Sequence, residues 1–194
     1  MSVKEQKLSL PLDEADVRRL SLGDVVYLSG TIYQMRGCAH AKVVSCLERQ
    51  IPLPFDLGNG VIYHAFSLVQ KRGQSWQLYY AGGTLSFRMN RFLPAIIRGL
   101  GIRAVVGKAG GGVGGEVLQA MRECGCVHLS QIGGCPAFYR RQISDCFHVY
   151  WEDLGNEMVL ELKVDDFGPL VVSADTAGRQ LYRPGSYVTQ EMYR

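Results

Sequence analysis

The spacing of apolar and polar residues along the chain predicts alternating strands and helices. Runs rich in β-branched residues and bounded by glycine or polar turns predict strands, whereas apolar residues three and four positions apart predict helices. The predicted strands cover residues 25–29, 30–34, 60–69, 75–81, 103–106, 126–130, 149–151, 158–164 and 170–174, and the predicted helices cover 39–50, 87–98 and 116–124. This order predicts an α/β fold, a mixed sheet with a central βαβ layer and flanking strands.

No repeat and no low-complexity linker divides the 194 residues. A chain of this length suits one domain of ordinary size, and its 47% hydrophobic content argues against disorder. We therefore expect a single domain over residues 1–194, with a short N-terminal lead and a C-terminal tail from about residue 183.

The charge pattern excludes several classes of partner. Lys and Arg number 21 against 18 Asp and Glu, and no polycationic segment stands out, so we do not expect nucleic-acid binding. No apolar stretch approaches the roughly 20 residues that cross a bilayer, and the first residues lack the apolar core of a signal peptide. We expect a cytoplasmic protein, not bound to a membrane, whose six cysteines are reduced thiols.

The glycine-rich segment GKAGGGVGG, residues 107–115, follows a predicted strand and precedes a predicted helix. Gly110, Gly112 and Gly115 match the G-x-G-x-x-G pattern of dinucleotide sites. The strand after the helix, however, ends without the acidic residue that holds a ribose, and one βαβ unit is a fragment of a dinucleotide fold. A nucleotide-binding enzyme is therefore one alternative reading of the chain.

Two further features of this region and of residues 82–89 favour an anion site. Lys108 lies at the end of an apolar strand, beside backbone amides that are able to bind a carboxylate or phosphate. In GGTLSFRM, Gly83 permits close approach of a ligand, and Arg88 lies in the first turn of the predicted helix, which Thr84 and Ser86 are placed to cap. The simpler interpretations are a solvated lysine and an ordinary helix cap beside an exposed arginine.

A third candidate anion site lies where another predicted strand meets a helix. Arg36 and His40 flank the start of this helix, whose N-terminus favours negative charge. The alternative for His40 is a surface histidine or a hydrogen-bonded core histidine. If the three segments converge, Arg36, Arg88 and Lys108 form a pocket for a dicarboxylate, with the hydroxyl of Thr84 beside it.

The cysteines and carboxylates give no metal or acid–base motif. One residue separates Cys124 from Cys126, whereas zinc knuckles need two to four, and the other cysteines are not at ligand spacing. We therefore expect no metal ligand in this chain. The remaining acidic residues of note are interpreted as turn and surface groups: Asp153, Glu157, Asp165 and Asp166.

The order of these motifs resembles the β subunit of class I, iron–sulfur fumarate hydratases and L(+)-tartrate dehydratases, which is the fumarase C-terminal domain of the one-chain enzymes. The resemblance covers about nine-tenths of the chain and rests on several motifs together. The matching segments are LSLGDVVYLSGTIYQMRGCAH, IPLPFDLGNGVIYHA, GGTLSFRMNRF, GIRAVVGKAGG, VHLSQIGGCPA, VYWEDLGNE and KVDDFGPLVVSADTAGRQLY.

The resemblance implies a swivelling β/β/α domain that closes over a partner α subunit carrying a [4Fe-4S] cluster. It implies a hydro-lyase acting on a hydroxy-dicarboxylate of the fumarate, malate or tartrate type, in a hetero-oligomer or homodimer. In the family the cluster iron binds the substrate hydroxyl and a carboxylate. On this pattern Arg36, Arg88 and Lys108 bind carboxylates and Thr84 is the catalytic base, with His40, Gly83 and Ser86 in supporting positions.

The chain departs from the family pattern at three positions. Gly37 replaces an Asp, Gly83 replaces a Pro and Leu85 replaces a Thr. Leu85 removes a hydroxyl near the expected substrate, and Gly37 removes a carboxylate that would orient Arg36 or His40. These changes leave open a different substrate, weak turnover, or a non-catalytic subunit that binds small anions and has kept the fold.

Overall fold

The computed structural model describes residues 3–109 and 112–182 of the chain. Gly110 of the nucleotide motif and the predicted tail from about residue 183 therefore lie outside the described residues. The strands are β1 (Glu5–Ser9), β2 (Val25–Gln34), β3 (Val61–Tyr63), β4 (Ala65–Arg72), β5 (Ser75–Gly83), β6 (Ala104–Gly107), β7 (Val127–Gln131), β8 (Ile143–Tyr150) and β9 (Val159–Ala174). The helices are α1 (Glu14–Arg19), α2 (Gly37–Glu48), α3 (Leu93–Leu100), α4 (Gly115–Cys124) and α5 (Pro136–Arg141), with 3-10 helices at Ser86–Met89 and Glu152–Glu157.

Seven strands form one mixed sheet that closes on itself. The order is β1-β2-β3-β6-β7-β9-β8, and β9 also pairs with β2. The pairs β2–β3, β3–β6 and β6–β7 are parallel, whereas β9 runs antiparallel to both β7 and β2. Five strands thus form a barrel-like ring, and β6, α4 and β7 make the predicted βαβ unit. The prediction of a mixed α/β fold is confirmed at this level.

Alternation along each strand divides the core into two parts. On one face, residues such as Leu28, Tyr63 and Leu129 meet inside the ring. On the other face, residues such as Ile62 and Val105 pack against α2, α3 and α4. Because the strands are buried on both faces, their sequences read as continuous apolar runs rather than as strict alternation.

The region of the strands predicted over residues 60–69 and 75–81 divides between two sheets. Residues 61–63 belong to the ring, whereas β4 and β5 form a separate antiparallel hairpin. His64 lies between β3 and β4, at the corner where the chain leaves the ring. This corner brings the end of β5 next to the ends of β3 and β6.

Several elements differ from their predictions, among them β8, which begins at Ile143 rather than at 149, and α5, which was not predicted. The helix predicted over 87–98 is divided into a 3-10 helix and α3, with Pro94 in the first turn of α3. The two strands predicted over 158–164 and 170–174 are one strand, β9, which bulges twice against β2. The segment expected as an N-terminal lead contains β1, which pairs with β2, and α1.

The second bulge of β9 brings Gly168 against β2. A β-carbon at this position would lie 2.6 Å from the backbone oxygen of Val26 and 2.7 Å from the Tyr27 ring. We expect Gly168→Ala to lower the free energy of unfolding by roughly 1–3 kcal/mol, because a backbone oxygen cannot move aside without disturbing ring closure. Urea-induced unfolding measures this difference.

Gly115→Ala is the matched control. A β-carbon there meets nothing within 4 Å, at the first residue of α4. Its free energy of unfolding should stay the same or rise by up to about 1 kcal/mol. Equal losses in the two variants would show that contact with β2 is not what requires glycine at position 168.

Candidate functional site

The candidate site lies where the parallel strands of the ring end. The carboxyl ends of β2, β3, β6 and β7 lie at one edge because these strands run in the same direction. Arg36, His64 and Lys108 each follow one of these strands directly or within two residues. Ligand sites of open α/β sheets occupy this position, so the topology brings the predicted segments to one edge.

Arg36 is the N-cap residue of α2, and its side chain is only 18% exposed. A guanidinium nitrogen lies 4.0 Å from Oε1 of Glu157, and the group lies over the Phe66 ring at 5.7 Å. Its Nε is buried without a hydrogen-bond partner among the described residues. Arg36 is therefore held at the site with one donor unused.

Glu157 supplies a carboxylate at the start of α2. Its Oε2 accepts the backbone N–H of Cys38 at 2.5 Å and lies 3.5 Å from where a β-carbon of Gly37 would be. Glu157, interpreted from the sequence as a turn or surface group, ends a short 3-10 helix with its side chain 28% exposed, and it also bonds to the start of α2. Glu157 thus lies next to position 37 in space, although it is 120 positions along the chain.

The charges of both Arg36 and Arg88 act on the Glu157 carboxylate. Partial burial acts to raise the pKa of the Glu157 carboxyl, but the Cys38 amide and the charges of Arg36 and Arg88 outweigh burial and leave the pKa below its usual value. Arg88 itself is exposed, in the 3-10 helix. Both arginines thus lie near one carboxylate, on the side of the site formed by α2.

Thr84 is held by backbone contacts at the end of β5. The carbonyl oxygen of His64 accepts both the Thr84 N–H, at 2.7 Å, and the Thr84 hydroxyl, at 3.2 Å. The Thr84 carbonyl accepts the N–H of Lys108 at 2.9 Å, and the Lys108 carbonyl accepts the N–H of Ser86 at 3.1 Å. Thr84 and Lys108 are therefore neighbours. Neither Thr84 nor Ser86 caps the following helix, which has no side-chain cap.

Lys108 lines a cavity of about 360 Å³. Gly82, Gly83 and Gln131 also line it, and its size suits a small polar acid. A β-carbon at position 83 would overlap the Gln131 side-chain oxygen, which accepts the Tyr63 hydroxyl at 2.9 Å. Gly83 thus leaves room for a neighbouring side chain of the protein, beside the cavity.

The predicted residues fall into two overlapping groups. Arg36 and Arg88 lie near Glu157, whereas Lys108 and Gly83 line the cavity, with Thr84 bonded to Lys108 between the groups. Arg36 and Arg88 are not among the residues lining that cavity. Convergence of all three cations on one ligand stays a prediction.

A buried hydrogen-bonded chain of side chains lies beneath these residues. It contains three histidines and two serines, each 3% exposed or less: His40, His64, Ser86, His128 and Ser173. His40 and Ser86, expected to support ligand binding, face this interior chain instead. We call these five residues the His–Ser chain.

His64 and His128 were not identified from the sequence. The signal was present, since each interrupts or ends an apolar strand in VIYHA and VHLS, and a polar residue in a buried strand needs a partner. His128 and Ser173 alternate with Leu129 and Val172, which face the ring interior, so the chain lies on the helix side of the sheet.

One backbone amide of the glycine-rich loop is already bonded within the protein. The N–H of Val113 donates to the Gln180 side-chain oxygen at 2.9 Å, and the Gln180 amide donates back to the Val113 carbonyl at 3.3 Å. This amide is therefore already bonded, and it does not favour a phosphate site there.

Residues 3–109 and 112–182 contain neither a metal-holding cluster nor a membrane-spanning helix. No group of three or more His, Cys, Asp or Glu side chains there is arranged to hold a metal ion. No helix in the described part of the chain has the length and apolar character needed to cross a bilayer.

Comparison with known proteins gives a consistent family. A family model described as "Fumarase C-terminus" matches residues 2–185. A Methanocaldococcus jannaschii protein with the provisional name L(+)-tartrate dehydratase subunit beta is 40% identical over 173 residues, covering 88% of each chain. The L(+)-tartrate dehydratase subunit beta of Escherichia coli K12 is 34% identical over 90% of this chain and 85% of its own.

One longer relative matches only in part. A Geobacillus stearothermophilus protein provisionally named fumarate hydratase class I is 35% identical over 177 residues, which cover 90% of this chain but 33% of that protein. The chain thus corresponds to a third of this relative.

Burial of the three histidines makes the free energy of unfolding depend on pH. It lowers the pKa of His40 and His128 to about 4, and the pKa of His64 well below its usual 6.5. Between about pH 6.5, the usual histidine pKa, and about pH 4, the histidines bind protons in the unfolded chain but not in the folded chain. The free energy of unfolding therefore falls as the pH falls through this range. Each histidine contributes a slope of up to about 1.4 kcal/mol per pH unit.

Urea unfolding at about pH 7, 6 and 5 measures this slope. A free energy of unfolding that is the same at all three pH values would contradict the burial of neutral histidines.

Proposed function

The chain belongs to the fumarase C-terminus family, and from that premise we propose that it is the β subunit of a hydro-lyase. The enzyme adds water to, or removes it from, a small hydroxy-dicarboxylate of the fumarate, malate or tartrate type. The relatives named L(+)-tartrate dehydratase subunit beta and fumarate hydratase class I support this reaction class. A β subunit acts with a partner, so we propose a hetero-oligomer with an α subunit.

One observation carries the assignment to this site. Thr84 and Lys108 are hydrogen-bonded neighbours, and Lys108 lines a cavity, while Arg36 lies 4.0 Å from Glu157 at the start of α2. This arrangement supports roles for Arg36, Arg88 and Lys108 in binding the two substrate carboxylates. Each charged hydrogen bond contributes roughly 1.5–3 kcal/mol, enough to orient a small acid.

Thr84 is proposed to exchange the proton at the substrate carbon. Its hydroxyl hydrogen is directed at the His64 carbonyl, so the lone pairs of Oγ1 point away from this oxygen. To act as the base, Oγ1 first releases its own hydrogen to solvent, and the nearby positive charges favour the resulting anion. Oγ1 then takes the proton from the substrate carbon, and this restores the hydroxyl that bonds to the His64 carbonyl. Glu157 keeps Arg36 in place at the start of α2, the role that the absent motif carboxylate would otherwise have.

A [4Fe-4S] cluster does not fit the described part of this chain. Its six cysteines are all free and show no metal-holding arrangement with one another or with His, Asp or Glu. We propose that the partner α subunit holds the cluster, whose iron would act as a Lewis acid on the substrate hydroxyl. The closing movement of a swivelling β/β/α domain over this subunit is part of the same proposal.

The second candidate is a non-catalytic subunit that binds small anions. Leu85 supports it, because it gives the site an apolar side chain where the family pattern has a hydroxyl. Gly37 also supports it, because the family pattern has a carboxylate there, although Glu157 places one beside this position. Activity of the assembled enzyme distinguishes the two.

The test is to express the chain with its α subunit without oxygen and assay fumarate, malate and tartrate. Arg88→Ala should lower kcat/KM by about 100-fold, since it removes a charged contact to a carboxylate. Arg98→Ala is the matched control, because Arg98 forms an exposed pair with Glu123 and should keep wild-type kinetics.

Two results would contradict the proposal. Unchanged kcat and KM in Arg88→Ala would remove Arg88 from the site. An assembled complex with an intact cluster and no turnover of any of the three acids, but with measurable dicarboxylate binding, would favour the non-catalytic subunit.

A further inference from the structure

The His–Ser chain is continuous from α2 to β9. His40 Nδ1 lies 2.7 Å from the Arg36 carbonyl oxygen, and His40 Nε2 lies 3.0 Å from His64 Nε2. The Ser86 hydroxyl lies between His64 Nδ1, at 2.9 Å, and His128 Nε2, at 2.8 Å. His128 Nδ1 is 2.6 Å from the Ser173 hydroxyl. Every ring nitrogen of the three histidines therefore has a partner.

The direction of each hydrogen bond follows from one end. The Arg36 carbonyl only accepts, so His40 donates from Nδ1 and, being neutral, accepts at Nε2. His64 must then donate from Nε2 and accept the Ser86 hydroxyl at Nδ1. His128 donates from Nε2 to Ser86, so its neutral ring accepts at Nδ1. The single hydrogen of the Ser173 hydroxyl therefore goes to Nδ1, at 2.6 Å, rather than to the His128 carbonyl, at 3.2 Å. With neutral rings, only this set of tautomers satisfies the chain.

This chain is not a path for protons. It ends at a backbone carbonyl, which has no proton to release, and its other end, Ser173, is 3% exposed. A directed chain with closed ends fixes the positions of its members instead.

The space around Ser86 is adapted to this contact. A β-carbon on Gly107 would overlap the Ser86 oxygen and would lie 3.2 Å from the β-carbon of His64. Gly107 is the last residue of β6 and immediately precedes Lys108. Because Gly107 has no side chain, the Ser86 hydroxyl has room to contact both imidazoles.

The chain acts on the candidate site through one residue. The His64 carbonyl accepts both the amide and the hydroxyl of Thr84, so the orientation of His64 sets the backbone position and the rotamer of Thr84. His64 is itself fixed at three points: its N–H donates to the Val106 carbonyl at 2.7 Å, and both ring nitrogens are bonded.

We propose that the His–Ser chain is a positioning device for Thr84, in which Ser86 and the Nε2–H tautomer of His64 hold the His64 carbonyl that orients the Thr84 hydroxyl. This inference rests on the proposed function, because Thr84 is the proposed proton-transfer group. Ser86 touches no substrate and acts through His64 and Thr84. Its loss therefore slows turnover without weakening substrate binding.

Kinetics of the assembled α/β enzyme test this role. Ser86→Ala should lower kcat by about 10- to 100-fold and change KM less than about 3-fold, since small misplacement of a reacting group costs this much rate. Ser67→Ala is the matched control: Ser67 is also buried, and its hydroxyl has no hydrogen-bond partner among the described residues. It should keep wild-type kcat.

A double variant separates positioning from general damage. If Ser86 acts only through Thr84, then Thr84→Ala combined with Ser86→Ala should be no slower than Thr84→Ala alone. Multiplied losses would overturn the positioning role. If Thr84→Ala keeps full activity, the assignment of Thr84 fails, and this inference fails with it. If Thr84→Ala is inactive but Ser86→Ala is not, only this inference fails.

A measurement on the unmodified full chain covers the case in which Ser86→Ala does not fold. Long-range ¹⁵N–¹H correlation at neutral pH reports each histidine tautomer. We expect His40 as the Nδ1–H form and His64 and His128 as the Nε2–H forms. His64 as the Nδ1–H form, or as an average of both, would overturn the proposal.

Discussion

The pairing of β9 with both β2 and β7 is the constraint on which the rest of the structure depends. Without it the parallel strands would form an open sheet with two free edges. Closure holds β2, β3, β6 and β7 side by side in a ring, so the residues that follow them are confined to one rim. Arg36, His64 and Lys108 lie on the same rim for this reason, although 72 positions separate the first from the last.

Closure also determines the chemistry of the polar side chains beneath the rim. Helices α2, α3 and α4 cover the outer face of the ring, and this layer excludes water from His40, His64 and His128. Burial keeps the three imidazole rings neutral. A neutral imidazole has one nitrogen that donates and one that accepts, so a donor must face an acceptor at each contact along the chain. A single carbonyl, that of Arg36, is then enough to direct the whole His–Ser chain.

Local sequence signals predicted much of this arrangement, and contacts distant in sequence account for what they missed. Strand–glycine–helix junctions identified Arg36 and Lys108 as rim residues, because such junctions are read from neighbouring residues alone. β9 was predicted as two strands because Asp165 and Gly168 are typical of turns, whereas in the ring they form bulges that keep the pairing. The contact of Glu157 with α2 and the hydrogen bonds of His64 join residues that are distant in sequence, so no local pattern predicts them.

The glycines near the site illustrate the same limit. Clustered glycine predicted close approach of a ligand to the backbone at Gly83. At Gly83 and Gly107, however, the space next to the backbone is filled by the protein's own polar atoms, from Gln131 and Ser86. A sequence shows that a β-carbon is absent but not which atom takes its place. Where that atom belongs to a buried hydrogen-bonded side chain, the glycine makes room for this side chain, and Gly83 does so while also lining the cavity.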